Sequence, residues 1–339
     1  MKLSDLIIST DLAAEGLAEN LPDTLDAEVE SEQRALHIAE TLHGQRLDRA
    51  LVELVPEFSR SYLQQLIEAG AVTLNGRPAL KPAAKVKAGD AGLIELRPTQ
   101  QSQAFKPESM ELEVVFEDAF LRVINKPAGL VVHPAPGNWS GTLLNGLLAR
   151  DVQAQMLPRA GIVHRLDKDT SGLMVVARSR AAMDALVAMI AARDVSRQYL
   201  ALAHKTWSGP ARRSLDASIG RDPRNRLRMA VVDLALHAGK TARTDVALLE
   251  NCDKGCLVRC TLHTGRTHQI RVHMAAAGHP LVADMVYGGA AAAGMGRQAL
   301  HATQLAFVHP MTGEALRFHA PLPPDMRLAL ADWGLSYNG

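Results

Sequence analysis

The sequence predicts an α+β protein in two parts. A small module of helices and a hairpin spans residues 34–100. A larger domain over residues 110–335 is built on a mixed, largely antiparallel sheet with flanking helices. Three observations carry this reading. Apolar residues recur at helical spacing near residue 50 but alternate near residues 112–124. A polar, Gln-rich stretch over 101–109 separates the two regions and reads as a linker. Beyond it, short strand patterns follow one another through local turns, which favours antiparallel pairing. A chain of 339 residues also suggests about two domains.

The elements follow in order. Leu47, Ala50, Leu51 and Leu54 mark one helix, which Pro56 ends. Ser59 or Ser61 caps a second helix running through Ile67, and Gly70 stops it. Ala71–Leu74 is a strand, Asn75-Gly76 a tight hairpin turn, and Leu93–Leu96 a closing strand. In the larger domain, Leu112–Phe116 and Leu121–Ile124 flank Glu117-Asp118 as a hairpin. Helices are expected over 143–150 and 180–193. Leu173–Ala177 is an apolar run that belongs in a buried strand, entered through a Thr170-Ser171-Gly172 turn.

Charge is spread unevenly. The net charge is only +1, yet residues 1–33 carry nine acids and one base, or −8, which leaves +9 on the remainder. The acidic segment, free of aromatics, reads as a solvated arm, or as an RNA mimic shielding a basic surface. Residues 193–228 hold +6, and the excess is nearly all arginine, whose planar fork suits phosphate. A 47 % hydrophobic content excludes a wholly disordered chain. No apolar run reaches the ~18 residues of a membrane span. The first residues lack a secretory pattern, and three Cys make no disulfide framework, so a reducing cytoplasm is expected.

Three segments concentrate chemistry. Gly161–Asp169 packs His164, Arg165, Asp167, Lys168 and Asp169 against an apolar strand, where ionisable groups must find partners. Arg197-Gln198-Tyr199-Leu200-Ala201 begins a strand after the 180–193 helix. Thr264-Gly265-Arg266-Thr267-His268-Gln269-Ile270-Arg271-Val272-His273 joins a strand to a helix, leaving N–H groups where anions bind.

These segments closely resemble the RluA family of RNA pseudouridine synthases. The likeness extends through Asn125–Pro134 and Gln298–Ala302. The module before them, with its Leu-Asn-Gly turn, resembles an S4-type RNA-binding domain. The resemblance implies an isomerase that turns uridine into pseudouridine in 23S (large-subunit) rRNA or its precursor, by base flipping. It implies Asp167 as the catalytic aspartate, Arg271 as its ion-pair partner and Tyr199 as the platform for the target base. Arg165 corresponds to the arginine that enters the RNA stem, and Ile270 to an apolar residue of the pocket. His164, Arg266, Arg226, Arg228 and Arg60 are expected as further RNA contacts. A monomer without metal or organic cofactor is expected, since the isomerisation involves no redox step or external group.

The same residues admit two rival readings. A metal hydrolase would use His164, Asp167, Asp169, His263, His268 and His273, but the histidine spacing of five scatters them around a helix. Cys256 and Cys260 alternate with Val258 and Leu262, as reduced thiols of a buried strand do. A non-catalytic RNA-binding or ribosome-assembly factor would use the module and the arginines equally well, but would not need Asp167, Tyr199 and Arg271 together.

Overall fold

The computed structural model describes residues 32–97, 102–135 and 137–337. The chain divides into two compact units, one up to Thr99 and one from Gln100. The first thirty-one residues of the acidic arm lie outside the described residues. Its last two, Glu32 and Gln33, open a strand paired with Leu96 and Glu95, so the ordered module begins earlier than its charge suggests.

The N-terminal unit holds β1 (Glu32–His37), α1 (Leu47–Leu54), α2 (Arg60–Glu68), β2 (Val72–Leu74), β3 (Arg77–Pro78) and β4 (Ala91–Leu96). The strands form an antiparallel sheet in the order β1-β4-β2-β3. Leu47, Ala50 and Leu51 of α1 meet Leu63, Leu66 and Ile67 of α2 over Val72 and Ile94, all fully buried. Ser59 caps α2 by accepting the Tyr62 N–H. Asn75 and Gly76 both take positive φ, as a two-residue hairpin of this hand requires.

The second unit contains β5 (Glu113–Glu117), β6 (Leu121–Lys126), α3 (Leu143–Arg150), β7 (Ser171–Ala177), α4 (Arg180–Ala192) and β8 (Ser196–His204). There follow β9 (Arg212–Asp216), β10 (Ile219–Arg221), β11 (Met229–Val231), β12 (Gly239–Lys240), β13 (Arg243–Asn251) and β14 (Gly255–Leu262). The chain closes with α5 (Gln269–Ala276), β15 (Leu300–Val308), β16 (Ala315–His319) and α6 (Pro324–Asp332). The main sheet runs β5-β6-β7-β15-β8-β14-β13-β9, with β16 on β15 and a separate small sheet β11-β10-β12. Every pairing is antiparallel except β7 with β15.

Both faces of the sheet are covered. Met174, Val176, Tyr199 and Ala201 pack on one side with Leu143, Leu147, Ile270 and Met274 of α3 and α5. Leu173, Val175 and Leu305 pack on the other with Ala182 and Leu186 of α4. This double cover is why β7 is apolar at successive positions rather than alternating.

Two local expectations are corrected. The turn before β7 lies earlier, over Asp167–Thr170, with the Thr170 N–H bonded to the Asp167 carbonyl at 3.1 Å. Ser171 and Gly172 already belong to the strand. Part of the 101–109 segment also packs on the larger unit. Residues 102–105 form a 3-10 turn, and the Asn145 amide donates to the carbonyls of Ala104 (3.3 Å) and Lys106 (2.8 Å), tying it to α3.

Candidate active site

The site is assembled from four segments brought together by the sheet order. Asp167 sits on the loop entering β7, and Tyr199 rises from β8. Arg271 and Ile270 lie in the first turn of α5, and Asp284 follows that helix. A cavity of about 440 Å³ is lined by His164, Arg165, Asp167, Tyr199, Arg266, Ile270 and Arg271, among others. Seven of the ten site residues expected from sequence therefore share one cavity. Three do not. Arg226 and Arg228 belong to the loop beside β10 and β11, where Arg228 pairs with Asp222 at 2.6 Å. Arg60 lies in the N-terminal unit, bonded to the buried Asp48 at 2.7 Å.

The Asp167 loop is held from behind by two cations. Lys126, 1 % exposed, donates to the carbonyls of Pro127 (2.8 Å), Leu130 (2.9 Å) and Lys168 (2.9 Å). Burial draws its pKa down to about 7, while Asp169 and Asp167 oppose the loss of charge. Three carbonyl acceptors require three N–H donors, which only the ammonium form has. Arg297 donates to the Asp169 carbonyl at 2.9 Å and is clamped by Asp325 at 2.7 and 3.0 Å. Gly172, at φ +115°, lets β7 approach β15, since a Cβ there would lie 2.2 Å from the Ala302 carbonyl oxygen.

The other wall is built around Arg271. Its Nη1 reaches Asp167 Oδ2 at 3.1 Å, while Nε and Nη2 fork onto Asp284 at 2.7 and 2.8 Å. Burial works against its charge, but the bonds to Asp284 and Asp167 prevail and raise its pKa above the ordinary arginine value. The Tyr287 ring lies 5.1 Å beneath the guanidinium. The Tyr287 hydroxyl accepts the Met229 N–H and meets His268 Nδ1 at 2.8 Å, which directs His268 Nε2 toward Asp167 Oδ1, 3.9 Å away. Burial lowers the His268 pKa, favouring the neutral ring, against the pull of Asp167.

Gln269 folds the 264–268 turn. Its Oε1 accepts from Thr264 Oγ1 and the Arg266 N–H, and its Nε2 donates to the Arg243 carbonyl and Thr244 Oγ1. Tyr199, 5 % exposed, has its phenol pushed up to about 12 by burial, so the hydroxyl stays protonated near neutral pH.

The histidines of the metal reading are separately engaged. His263 bonds Asp245 at 2.6 Å and His273 bonds Thr244 Oγ1 and the Ala217 carbonyl, each at 2.9 Å. Among the described residues, no three His, Cys, Asp or Glu side chains gather into a metal-ligand set. No helix of the described residues is long and apolar enough to cross a membrane.

Sequence reasoning assigned no role to Asp284, Tyr287, Lys126 or Arg297. A signal existed for Asp284, a lone acid closing the apolar run Leu281-Val282-Ala283. A buried acid requires a cationic partner.

The RNA pseudouridylate synthase model matches residues 121–276, and the S4 domain model matches residues 45–91. The chain is 48 % identical over 309 residues to ribosomal large subunit pseudouridine synthase D of Neisseria meningitidis serogroup B, covering 88 % of this chain and 81 % of that protein. The chain belongs to the RNA pseudouridylate synthase family. The protein of the same name from Xanthomonas campestris is 43 % identical to this synthase, over 91 % of this chain and 94 % of its own length. That from Escherichia coli is 43 % identical, over 85 % and 90 %. Among solved structures, human RNA pseudouridylate synthase domain containing 1 superposes with a TM-score of 0.51 at 28 % identity, over 66 % of this synthase and 90 % of that chain. The protein is thus an isomerase with an N-terminal S4 domain, rather than a non-catalytic RNA binder.

Proposed function

We propose that this synthase converts uridines of large-subunit (23S) rRNA, or its precursor, to pseudouridine in the cytoplasm, acting as a monomer with Asp167 as the catalytic carboxylate. The observation that carries this reading is the Asp167–Arg271 pair at 3.1 Å, in the wall of the cavity that Tyr199 also lines. The names of the relatives support the choice of RNA.

A stacked base cannot turn over, so the target nucleotide leaves the helix at a cost of a few kcal/mol. Exposed Arg165, two residues before Asp167, refills the vacated stack and contacts phosphate. The uracil lies on the Tyr199 ring, with Ile270 packing at its edge. Asp167 acts as its carboxylate: at C1′, at C6 or on the 2′ proton. Arg271 fixes the direction of that carboxylate because Asp284 fixes Arg271. His164 and Arg266 make local RNA contacts, and Arg226, Arg228 and Arg60 make further ones. The rearrangement moves bonds within one nucleotide and calls for no cofactor.

The test is Asp167→Asn on RNA labelled with 5-³H uridine. The variant should fold and bind RNA, yet release no tritium. Undiminished release would overturn the assignment.

A further inference from the structure

Among the described residues, three buried side-chain polar atoms have no hydrogen-bond partner: His133 Nε2, His164 Nδ1 and Arg197 Nε. All three residues line the cavity of Asp167. Folded proteins pair nearly all their buried polar groups, so three orphans around one cavity point to a polar occupant.

Arg197 is the sharpest of the three. It is 6 % exposed, and no carboxylate pairs with it among the described residues. The other two buried arginines, Arg122 and Arg271, are paired at 2.6 and 2.7 Å. Arg197 precedes Tyr199 by two positions in β8, so both side chains leave the same face of the sheet. The 264–268 turn closes over it, and a Cβ on Gly265 would lie 3.1 Å from its Nη1. Arg159, Arg165 and Arg193 also line the cavity but are exposed, where a phosphate backbone meets them. A buried cation beside Tyr199 is reached instead by the part of a flipped nucleotide that travels furthest from its backbone, the base. His164 supplies a second donor. Its Nε2 accepts the Val175 N–H at 3.1 Å, so the hydrogen of the neutral ring sits on Nδ1.

We propose that Arg197 is a further catalytic residue: its guanidinium donates to a carbonyl oxygen of the uracil and stabilises the negative charge the base acquires during isomerisation, with His164 Nδ1–H as a second donor. This rests on the uridine-isomerase reading above. When C1′–N1 breaks, its electron pair leaves with the base, while C1′ bonds to the Asp167 carboxylate or the 2′ proton passes to that carboxylate. If Asp167 instead adds at C6, the C5=C6 pair moves onto O4. Each route makes the base an anion with charge on its carbonyl oxygens. After the base turns, C5 bonds to C1′, Asp167 is released or returns its proton, the C5 proton is lost and N1 is protonated. No oxidant, reductant or co-reactant enters. A cation facing the base gains more from this anion than from neutral uracil, which is the condition for accelerating the step.

The test compares full-length wild type, Arg197→Met and Arg197→Lys on in vitro transcribed large-subunit rRNA carrying 5-³H uridine. Single-turnover tritium release, RNA affinity against salt and melting temperature are read together. Arg197→Met should slow release by about 100- to 1000-fold. RNA affinity and its salt slope should stay unchanged, Arg197→Lys should recover part of the rate, and the melting temperature should not fall, because an unpaired buried charge has been removed. A preserved rate with weaker RNA binding and a salt slope shallower by about one would make Arg197 a phosphate ligand and overturn the proposal. So would equal rate loss in both variants together with a lowered melting temperature, the mark of a structural role. Absence of tritium release from wild type would instead sink the isomerase reading itself, before any variant is compared.

Discussion

Asp284→Ala tests how the wall opposite the Asp167 loop is held. Asp284 is 1 % exposed and carries two bonds, at 2.7 and 2.8 Å, to an arginine that is itself buried. Removing it leaves Arg271 with one hydrogen-bonded carboxylate, Asp167, at 3.1 Å. Breaking a buried ion pair from one side costs about 3–5 kcal/mol, because the remaining charge is stranded. At ~2–4 °C per kcal/mol for a unit of this size, the melting temperature should fall by about 6–20 °C. Asp284→Asn keeps the shape and one acceptor, and should lose roughly half as much on the same scale. Urea titration is the assay, with a lower midpoint expected at unchanged slope. At a temperature where both proteins are folded, tritium release should also fall, since the partner of Asp167 is no longer fixed. A wild-type midpoint in Asp284→Ala would refute the claim that this pair anchors the wall.

Three further outcomes follow. Gly172→Ala should destabilise by several kcal/mol, because its Cβ would overlap the Ala302 carbonyl and φ is +115°; a wild-type melting curve would show that β7 and β15 can separate freely. Burial lowers the pKa of His133 and His301 to about 4 and of His164 to about 3, so below pH ~6.5 the unfolded chain binds more protons. Stability should thus be complete above pH ~6.5 and fall toward pH 4, by at most about 1.4 kcal/mol per pH unit for each histidine; His301→Asn should remove about a third of that slope in urea midpoints, and a flat profile would contradict the sign. Deleting residues 1–31 removes a net −7 and should raise non-specific RNA affinity at low salt, whereas unchanged affinity and salt dependence would make the arm a bystander.

The sequence was most readable where chemistry is local. The Asn75-Gly76 turn, the α2 cap at Ser59 and the apolar run of β7 each depend on residues a few positions apart. The convergence of Asp167, Tyr199 and Arg271 was legible through resemblance, not periodicity. Asp167 and Arg271 are 104 positions apart, and what joins them is a sheet order that inserts β15 between β7 and β8. No local pattern reports that insertion. The grip of Lys126 on three carbonyls was illegible for a related reason, since the acceptors are backbone atoms without a sequence signature. The arginine excess over 193–228 misled in its detail. It reads as a set of phosphate ligands, yet Arg197 turns inward beside Tyr199 and Arg228 pairs with Asp222.

The grip of Lys126 and Arg297 on the Asp167 loop separates aim from contact. Both cations take the loop by carbonyl oxygens, those of Lys168 and Asp169, and no hydrogen bond is made by either residue's own side chain among the described residues. Lys168 can therefore change identity without breaking either bond, whereas the Asp169 carboxylate also supports the charge of Lys126. Exposed Lys168 sits next to the reacting group as an interchangeable fitting on a fixed mount. Contact at that position is thereby uncoupled from the aim of the reacting carboxylate.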